Sequence, residues 1–376
     1  MQILVTSNLD ARAPFGQTVR PLWLGRGMAE CGVTVGNLGI DCSSVEFGPT
    51  WTLGSTSLRN RIAVTRRVIA EFQPDVIYAH QTSPAVAAIV AAGTIPVVAD
   101  VHALGSAEWF GRARALGGAR TGVYVAAGVK ARLGEHIVMR SSRRLIAAGE
   151  ELAERIHDVW GSGLDVVVVP NGVDPALLRS ARAGASPYCH DGGFHATATL
   201  PGAASPSNAR ALEFLEAVAL EVRRREHPTT IHVVGCTAGP GEQVLRYEGF
   251  QPDLRPWLDH ADALLLPYPP EASLCGGARN KLVEYLARGR TIVSTVEGLR
   301  GLREAGSWPG VHVAGDDAAS FASALCAAVT PSAGTLDAKA MTARLGWDTL
   351  SRTALNALSA CARHTQPHGS RVTVRS

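Results

Sequence analysis

Lysine is nearly missing from this chain of 376 residues: only Lys130, Lys281 and Lys339 are lysines, and the rest of its 36 basic residues are arginines, a bias we read as codon usage. Charge of either sign is sparse, at 18% of residues, and 36 Lys plus Arg against 33 Asp plus Glu leave a formal net charge of +3. That is far from the strongly basic balance of a nucleic-acid binder, so any anion must be held locally. Cys31, Cys42, Cys189, Cys236, Cys275, Cys326 and Cys361 are odd in number and contain no C-x-x-C pair. The pattern argues against a disulfide framework and a zinc site, and suits a reducing cytoplasm. No apolar run approaches the ~18 residues that span a bilayer, and Met1 leads into Ile3-Leu4-Val5 without a basic or long apolar leader. The chain reads as soluble and cytoplasmic, without a transmembrane segment. Neither 10–16 nor 235–241 supplies the G-x-G-x-x-G of a dinucleotide-dependent dehydrogenase.

What is present is ordinary for a globular protein: 46% hydrophobic residues, with 39 Gly and 21 Pro for turns. The length predicts two domains. Short β-branched runs alternate with helix-compatible segments, as in βαβ units with a parallel sheet. Strands are expected at 3–6, 33–38, 76–80, 97–101, 144–147 and 166–169, and helices at 20–29, 57–72, 84–92 and 149–159; the Gly- and Arg-containing run 107–134 reads as a broken helix. The small, polar stretch 182–193 is placed as a linker. Beyond it strands are expected at 194–200, 230–234, 263–266 and 291–295, with helices at 207–224, 254–260, 280–288, 318–329 and 347–363. The fold class is therefore α/β, with two Rossmann-like, doubly wound parallel-sheet domains facing a central cleft. The domains are placed at 1–184, joined by a crossing helix near 347–365, and at 185–346, with 366–376 a polar tail. Ligands in such folds sit at the carboxyl ends of the strands.

The most informative segment runs from Leu264-Leu265-Leu266-Pro267-Tyr268 through Cys275-Gly276-Gly277-Ala278-Arg279-Asn280-Lys281-Leu282-Val283-Glu284. A buried strand feeds a glycine loop that opens a helix, where free backbone N–H groups can cradle phosphate. Arg279 and Lys281 add positive charge, and Glu284 can accept hydrogen bonds from a sugar diol. An isolated glycine pair is a weak signal that fits a plain turn equally well. Context strengthens it. Upstream stands Gly249-Phe250-Gln251-Pro252-Asp253-Leu254-Arg255-Pro256-Trp257-Leu258, and Val169-Pro170-Asn171-Gly172-Val173-Asp174 closes the first half.

In these motifs the sequence resembles retaining glycosyltransferases of the GT-B fold, glycosyltransferase family 4. The resemblance implies a nucleotide diphosphate-sugar donor, with Glu284 on the ribose and the helix start at Gly276, Gly277, Ala278, Asn280 and Leu282 directed at the diphosphate. Phe250 and Gly235 would line the base pocket, and Gly16 and Gly202 would admit a close backbone approach. His102, after Asp100-Val101, resembles the family's histidine on the donor sugar. With His102, Arg279 and Lys281 are the expected catalytic groups. His80, Gln17, Glu108 and Trp109 are expected on the acceptor side, though burial is the default for a tryptophan and a structural role for His80.

Two departures qualify the resemblance. Eight residues before Glu284 stands Gly276, so the first carboxylate of the family's Glu, seven residues, Glu motif is missing, and Glu271 is out of register. The loop 200–208 lacks the family's basic residue, a role that falls to Arg279 and Lys281, while Ser207 or Asn208 reads as a helix N-cap. Retaining members need no side-chain nucleophile, and without a D-x-D no metal or other cofactor is expected. The lack of a basic amphipathic helix leans towards a small, soluble acceptor. A nucleotide-sugar epimerase or hydrolase of the same fold, or an inactive nucleotide-sugar-binding partner, stays open, and oligomeric state leaves no trace in the sequence.

Overall fold

A computed structural model describes residues 1–10, 16–116, 118–173, 184–188, 192–201, 205–237, 244–272, 277–328 and 337–363. Residues 182–183 and 189–191 of the linker, and the whole tail at 366–376, lie outside these residues.

The first half builds a seven-stranded, all-parallel sheet in the order β3-β2-β1-β4-β5-β6-β7. Its strands are β1 (Gln2–Thr6), β2 (Thr34–Gly39), β3 (Thr50–Thr52), β4 (Val76–His80), β5 (Val97–Val101), β6 (Arg144–Ala147) and β7 (Val166–Val168). Every residue of β4 and β5 is buried, as expected of central strands covered on both faces. One face packs on α1 (Gly16–Glu30) and α12 (Trp347–Arg363), through Ile3, Val5, Leu24, Tyr78, Trp347 and Leu350. The other packs on α2 (Leu58–Phe72), α3 (Thr82–Ala91) and α6 (Glu150–Trp160), through Leu4, Ile77, Val68, Ala88 and Leu152. The Ser57 hydroxyl caps α2 by accepting from the Asn60 amide at 3.3 Å.

The second half repeats the design in a six-stranded parallel sheet, ordered β10-β9-β8-β11-β12-β13. It comprises β8 (Phe194–Thr199), β9 (Thr229–Val234), β10 (Arg246–Gly249), β11 (Ala263–Leu266), β12 (Thr291–Ser294) and β13 (Val311–Val313). Around it lie α7 (Pro206–Arg224), α8 (Arg255–Asp259), α9 (Asn280–Ala287), α10 (Ala318–Ala328) and α11 (Ala338–Leu345). Each sheet reverses its winding once, between β1 and β4 and between β8 and β11. A crevice opens at such a switch point.

Three short strands, β3, β10 and β13, escape the sequence reading because each is an edge strand of 3 or 4 residues. The stretch 107–134 resolves into α4 (Gly105–Leu116) and α5 (Thr121–Ser141), joined by a 3-10 turn at Gly118–Arg120. On α5 apolar and basic side chains share one outer side, which is not the segregated pattern of an amphipathic helix. Val125, Val129, Leu133 and Ile137 recur every four residues and are exposed. Lys130, Arg132, His136 and Arg140 share that outer side at helical spacing. The inner side, with Gly128, Val138 and Met139, is also small or apolar. That flattens the contrast on which amphipathicity is recognised. Among the described residues, no helix is long and apolar enough to cross a membrane.

The halves meet where Gly149, at the start of α6, faces Gly301; a Cβ on Gly149 would lie 2.6 Å from the Gly301 Cα. Glu151 accepts from the Gly301 amide at 2.9 Å, and Arg303 reaches Glu151 and Glu154 at 3.5 and 3.2 Å.

Candidate functional site

The carboxyl ends of β4 and β5 carry a buried polar network. Parallel register sets His80 beside Asp100. Asp100 is 1% exposed and takes its counter-charge from Arg20 of α1, 2% exposed, whose Nε lies 3.0 and 3.1 Å from the two carboxylate oxygens. The Tyr78 hydroxyl donates to the same carboxylate. A second arm of Arg20 donates to the Pro170 carbonyl at 2.9 Å and to Asn171 Oδ1 at 3.3 Å, and the Asn171 amide reaches Asn280 at the start of α9. The network thus ties the first sheet to the helix start of the second half.

His102 follows β5 with its Nε2 3.4 Å from Asp100 Oδ1 and 3.2 Å from His80 Nδ1. Burial outweighs the attraction of Asp100 and pushes His102 down to about 4 and His80 to about 3, so both rings are neutral near pH 7. Burial alone would raise the Asp100 carboxyl, but Arg20, His80 and His102 hold it down at about 2. His102 keeps partial exposure, whereas His80 is sealed. His80, Asp100 and His102 place ligand atoms within 4.8 Å of one another, as a cation site would. The Arg20 guanidinium already occupies both Asp100 oxygens, which opposes a second positive charge there.

Across the cleft, β11 leads through Pro267 to Tyr268, and the start of α9 turns back on it. Lys281 Nζ donates to the Tyr268 hydroxyl at 2.8 Å and approaches Asn208 Oδ1 at 3.4 Å. Asn208 in turn donates to the Pro201 carbonyl at 2.7 Å. The N-cap of α7 is Ser205, without a side-chain cap bond, so neither Ser207 nor Asn208 caps the helix. The Ser207 hydroxyl instead accepts from Arg279 at 2.8 Å. Arg279 stacks 4.0 Å over the Tyr268 ring, donates to the Ala272 carbonyl at 3.2 Å and pairs with Glu297, which also pairs with Arg300. Its guanidinium is largely committed to these partners. The Lys281 ammonium bonds to the neutral oxygens of Tyr268 and Asn208 and forms no ion pair among the described residues, so it brings positive charge beside the loop where the sequence lacks a basic residue.

Of the other expected donor residues, Leu282 is a buried core residue, Glu284 is half-buried one turn into α9, and Ala278 packs against the first half's core. Gly277 lies in the half-buried approach to α9, and Asn280 at its start. Gly235 has φ +106° and would set a Cβ 2.8 Å from the Pro201 Cα, so only glycine lets β9 end this close to the loop after β8. Phe250, just beyond β10, is 81% exposed. Gly16 begins α1, the side chain of Gln17 is not described, and Gly202 and Gly276 lie outside the described residues. Glu108 pairs with Arg112 at 2.7 Å, and Trp109 stacks on Tyr124 at 6.0 Å. Arg20 and Tyr78 escape the sequence reading. Its one available signal was Asp100 in a fully buried strand, a carboxylate that demands a counter-charge.

Comparison with known proteins bears on the family and the fold. A family model described as Glycosyltransferase Family 4 matches residues 44–177, and one described as Glycosyl transferases group 1 matches residues 196–330. The chain has the GT-B fold and resembles glycosyltransferase family 4. This GT-B chain superposes on the Anabaena HepE protein in complex with UDP and glucose, with TM-score 0.66, 14% identity and coverage of 96% of this chain and 100% of the other. It also superposes on the UDP-forming α,α-trehalose-phosphate synthase from Burkholderia xenovorans in complex with glucose-6-phosphate, with TM-score 0.63, 12% identity and coverage of 96% and 100%. A third similar structure is the E. coli trehalose-6-phosphate protein bound with UDP-2-fluoro glucose, at TM-score 0.57 and 13% identity over 97% and 98% of the two chains. No curated protein sequence matches the chain.

Proposed function

We propose that the protein is a retaining, metal-independent glycosyltransferase that moves a sugar from a nucleotide diphosphate-sugar to an acceptor hydroxyl. The observation that carries this reading is Lys281: its ammonium is held by Tyr268 and Asn208 at the start of α9, beside backbone amides suited to an anion. The similar structures hold UDP with glucose or a UDP-sugar analogue, which supports a donor of that class here.

In this reading the diphosphate rests on Gly277, the first turn of α9 and Lys281, and Glu284 binds the ribose. Neutral His102 shares a hydrogen bond with a sugar hydroxyl, oriented by the Asp100 and Arg20 pair behind it. The acceptor oxygen bonds to the anomeric carbon on the face from which the diphosphate leaves. The bond from that carbon to the diphosphate oxygen breaks, and the acceptor proton passes to the departing diphosphate. Lys281 and the helix amides stabilise the charge that develops there, so no protein nucleophile is needed. Arg279 acts as a positioning residue, bracing Tyr268 and α7.

Incubation with a panel of nucleotide-sugars and acceptors, followed by NMR, tests the reading. Release of a nucleoside diphosphate with a product of unchanged anomeric configuration is expected. An inverted product would refute the retaining step, and release of free sugar alone would make the protein a hydrolase.

A further inference from the structure

Beside this site lies a cavity of about 750 Å³ that spans both halves. Its walls include Phe110 and Arg114 of α4, Arg132 of α5, Arg155 of α6, Arg210 of α7 and, opposite, Glu271. It begins at the amino end of α4, four residues after His102, and its size suits a small-molecule ligand. Four guanidinium groups face one carboxylate. Arg210 spends part of its charge on Glu213 at 2.8 Å. Arg132 stacks 3.9 Å over the Trp160 ring and stands 3.8 Å from Glu135, whose oxygens already accept from the Ser106 amide and hydroxyl at 2.8 and 2.5 Å. Arg114 and Arg155 are solvent-exposed and, among the described residues, have no acidic partner. A cleft with an unbalanced charge of one sign focuses its field on a ligand of the other, and arginine forks match the paired oxygens of phosphate and carboxylate.

We infer that this cavity is the acceptor subsite and that the acceptor carries an oxyanion, phosphate or carboxylate, held chiefly by Arg114 and Arg155. The inference rests on the glycosyltransfer reading, because it takes the cavity beside His102 as the acceptor's place. It narrows the acceptor from any small molecule to an acidic one. The exposed apolar and basic side of α5 lies on a cavity-wall helix, so the oxyanion has two possible sources: a soluble metabolite or the headgroup of a lipid.

Equilibrium binding to the full-length protein tests this. The probes are glucose, glucose 6-phosphate, glucuronate, inorganic phosphate and sedimented vesicles of phosphatidylglycerol, measured on the wild type, Arg114→Gln and Arg155→Gln. Both side chains are exposed, so both variants should keep their melting temperature. The inference predicts that at least one oxyanion probe binds tenfold or more tighter than glucose, weakens as salt rises, and loses about tenfold in each variant. Binding confined to the soluble probes assigns a metabolite, and variant-sensitive retention on the vesicles alone assigns a lipid headgroup. Equal affinity for charged and uncharged probes, or affinities unaltered in both variants, would overturn it. Nucleoside diphosphate binding, measured on the same preparations, should be unchanged; a tenfold loss there would make the cavity part of the donor site. Failure of every nucleotide to bind would count against the glycosyltransfer reading itself.

Discussion

The Nε of Arg20 lies within 3.1 Å of both carboxylate oxygens of Asp100, and neither side chain reaches solvent. A buried ion pair of this kind is held in place by what its loss would leave behind, an uncompensated charge in a low-dielectric interior. Arg20→Met should therefore cost about 3–5 kcal/mol in urea unfolding, and adding Asp100→Asn to it should recover part of that loss. A cost below about 1 kcal/mol for the single variant would mean that Asp100 finds its compensation elsewhere.

The same cluster sets an acid limit on stability. The unfolded chain takes up protons at His80 and His102 below about pH 6.5, while the folded protein resists until about pH 3 at His80 and about pH 4 at His102. Asp100, ordinary at 3.8 when unfolded, stays ionised when folded down to about pH 2. All three folded values are depressed, so the unfolded state binds the protons first. The stability at stake is complete above about pH 6.5 and is lost as pH falls towards 2. Each histidine contributes up to about 1.4 kcal/mol per pH unit across its own window. Denaturant unfolding between pH 7 and 4.5 should show that fall, and His102→Gln should flatten it; a slope unchanged in the variant contradicts the assignment.

Lys281→Ala should lower kcat by about 10²–10³, the usual loss for a group that stabilises developing charge, with melting unaltered within a few degrees. Steady-state kinetics with saturating donor checks it. A variant that keeps wild-type kcat and raises only KM would move Lys281 from the reaction to ground-state binding.

Gly235→Ala combines a left-handed φ with a Cβ placed 2.8 Å from the Pro201 backbone. The expected cost is about 1–3 kcal/mol, with nucleotide affinity falling as the loop after β8 shifts. Calorimetric melting and nucleotide titration of the variant check both halves of the expectation.

Much of the architecture was legible because central parallel strands such as Val76–His80 and Ala263–Leu266 are uninterrupted apolar or β-branched runs between turn signals. Helices with an apolar stripe, such as Glu150–Trp160, were equally plain. Candidates for the site could be picked out where chemistry and chain order coincide, as at Arg279, Lys281 and Glu284. The site was illegible where distant segments meet. Arg20 finds Asp100 across 80 residues, and Lys281 finds Asn208 across 73. The cavity arginines come from four helices, and an exposed arginine has no local signature separating a ligand-facing side chain from a solvated one. On α4 the sequence reading chose Glu108 and Trp109, while Phe110 and Arg114 line the cavity, because helix phase decides the face and the start of α4 was not readable.

The most direct test of the donor site is a thermal-shift titration of the wild type, Lys281→Ala and Glu284→Ala with uridine, guanosine, adenosine and thymidine diphosphates and their sugars. A ligand that binds only the folded state raises its stability by RT ln(1 + [L]/Kd), about 2.7 kcal/mol at a hundredfold excess over Kd. The account predicts a clear upward shift with one nucleotide series in the wild type, lost or much reduced in both variants. No shift with any nucleotide, or an equal shift in all three proteins, would contradict it.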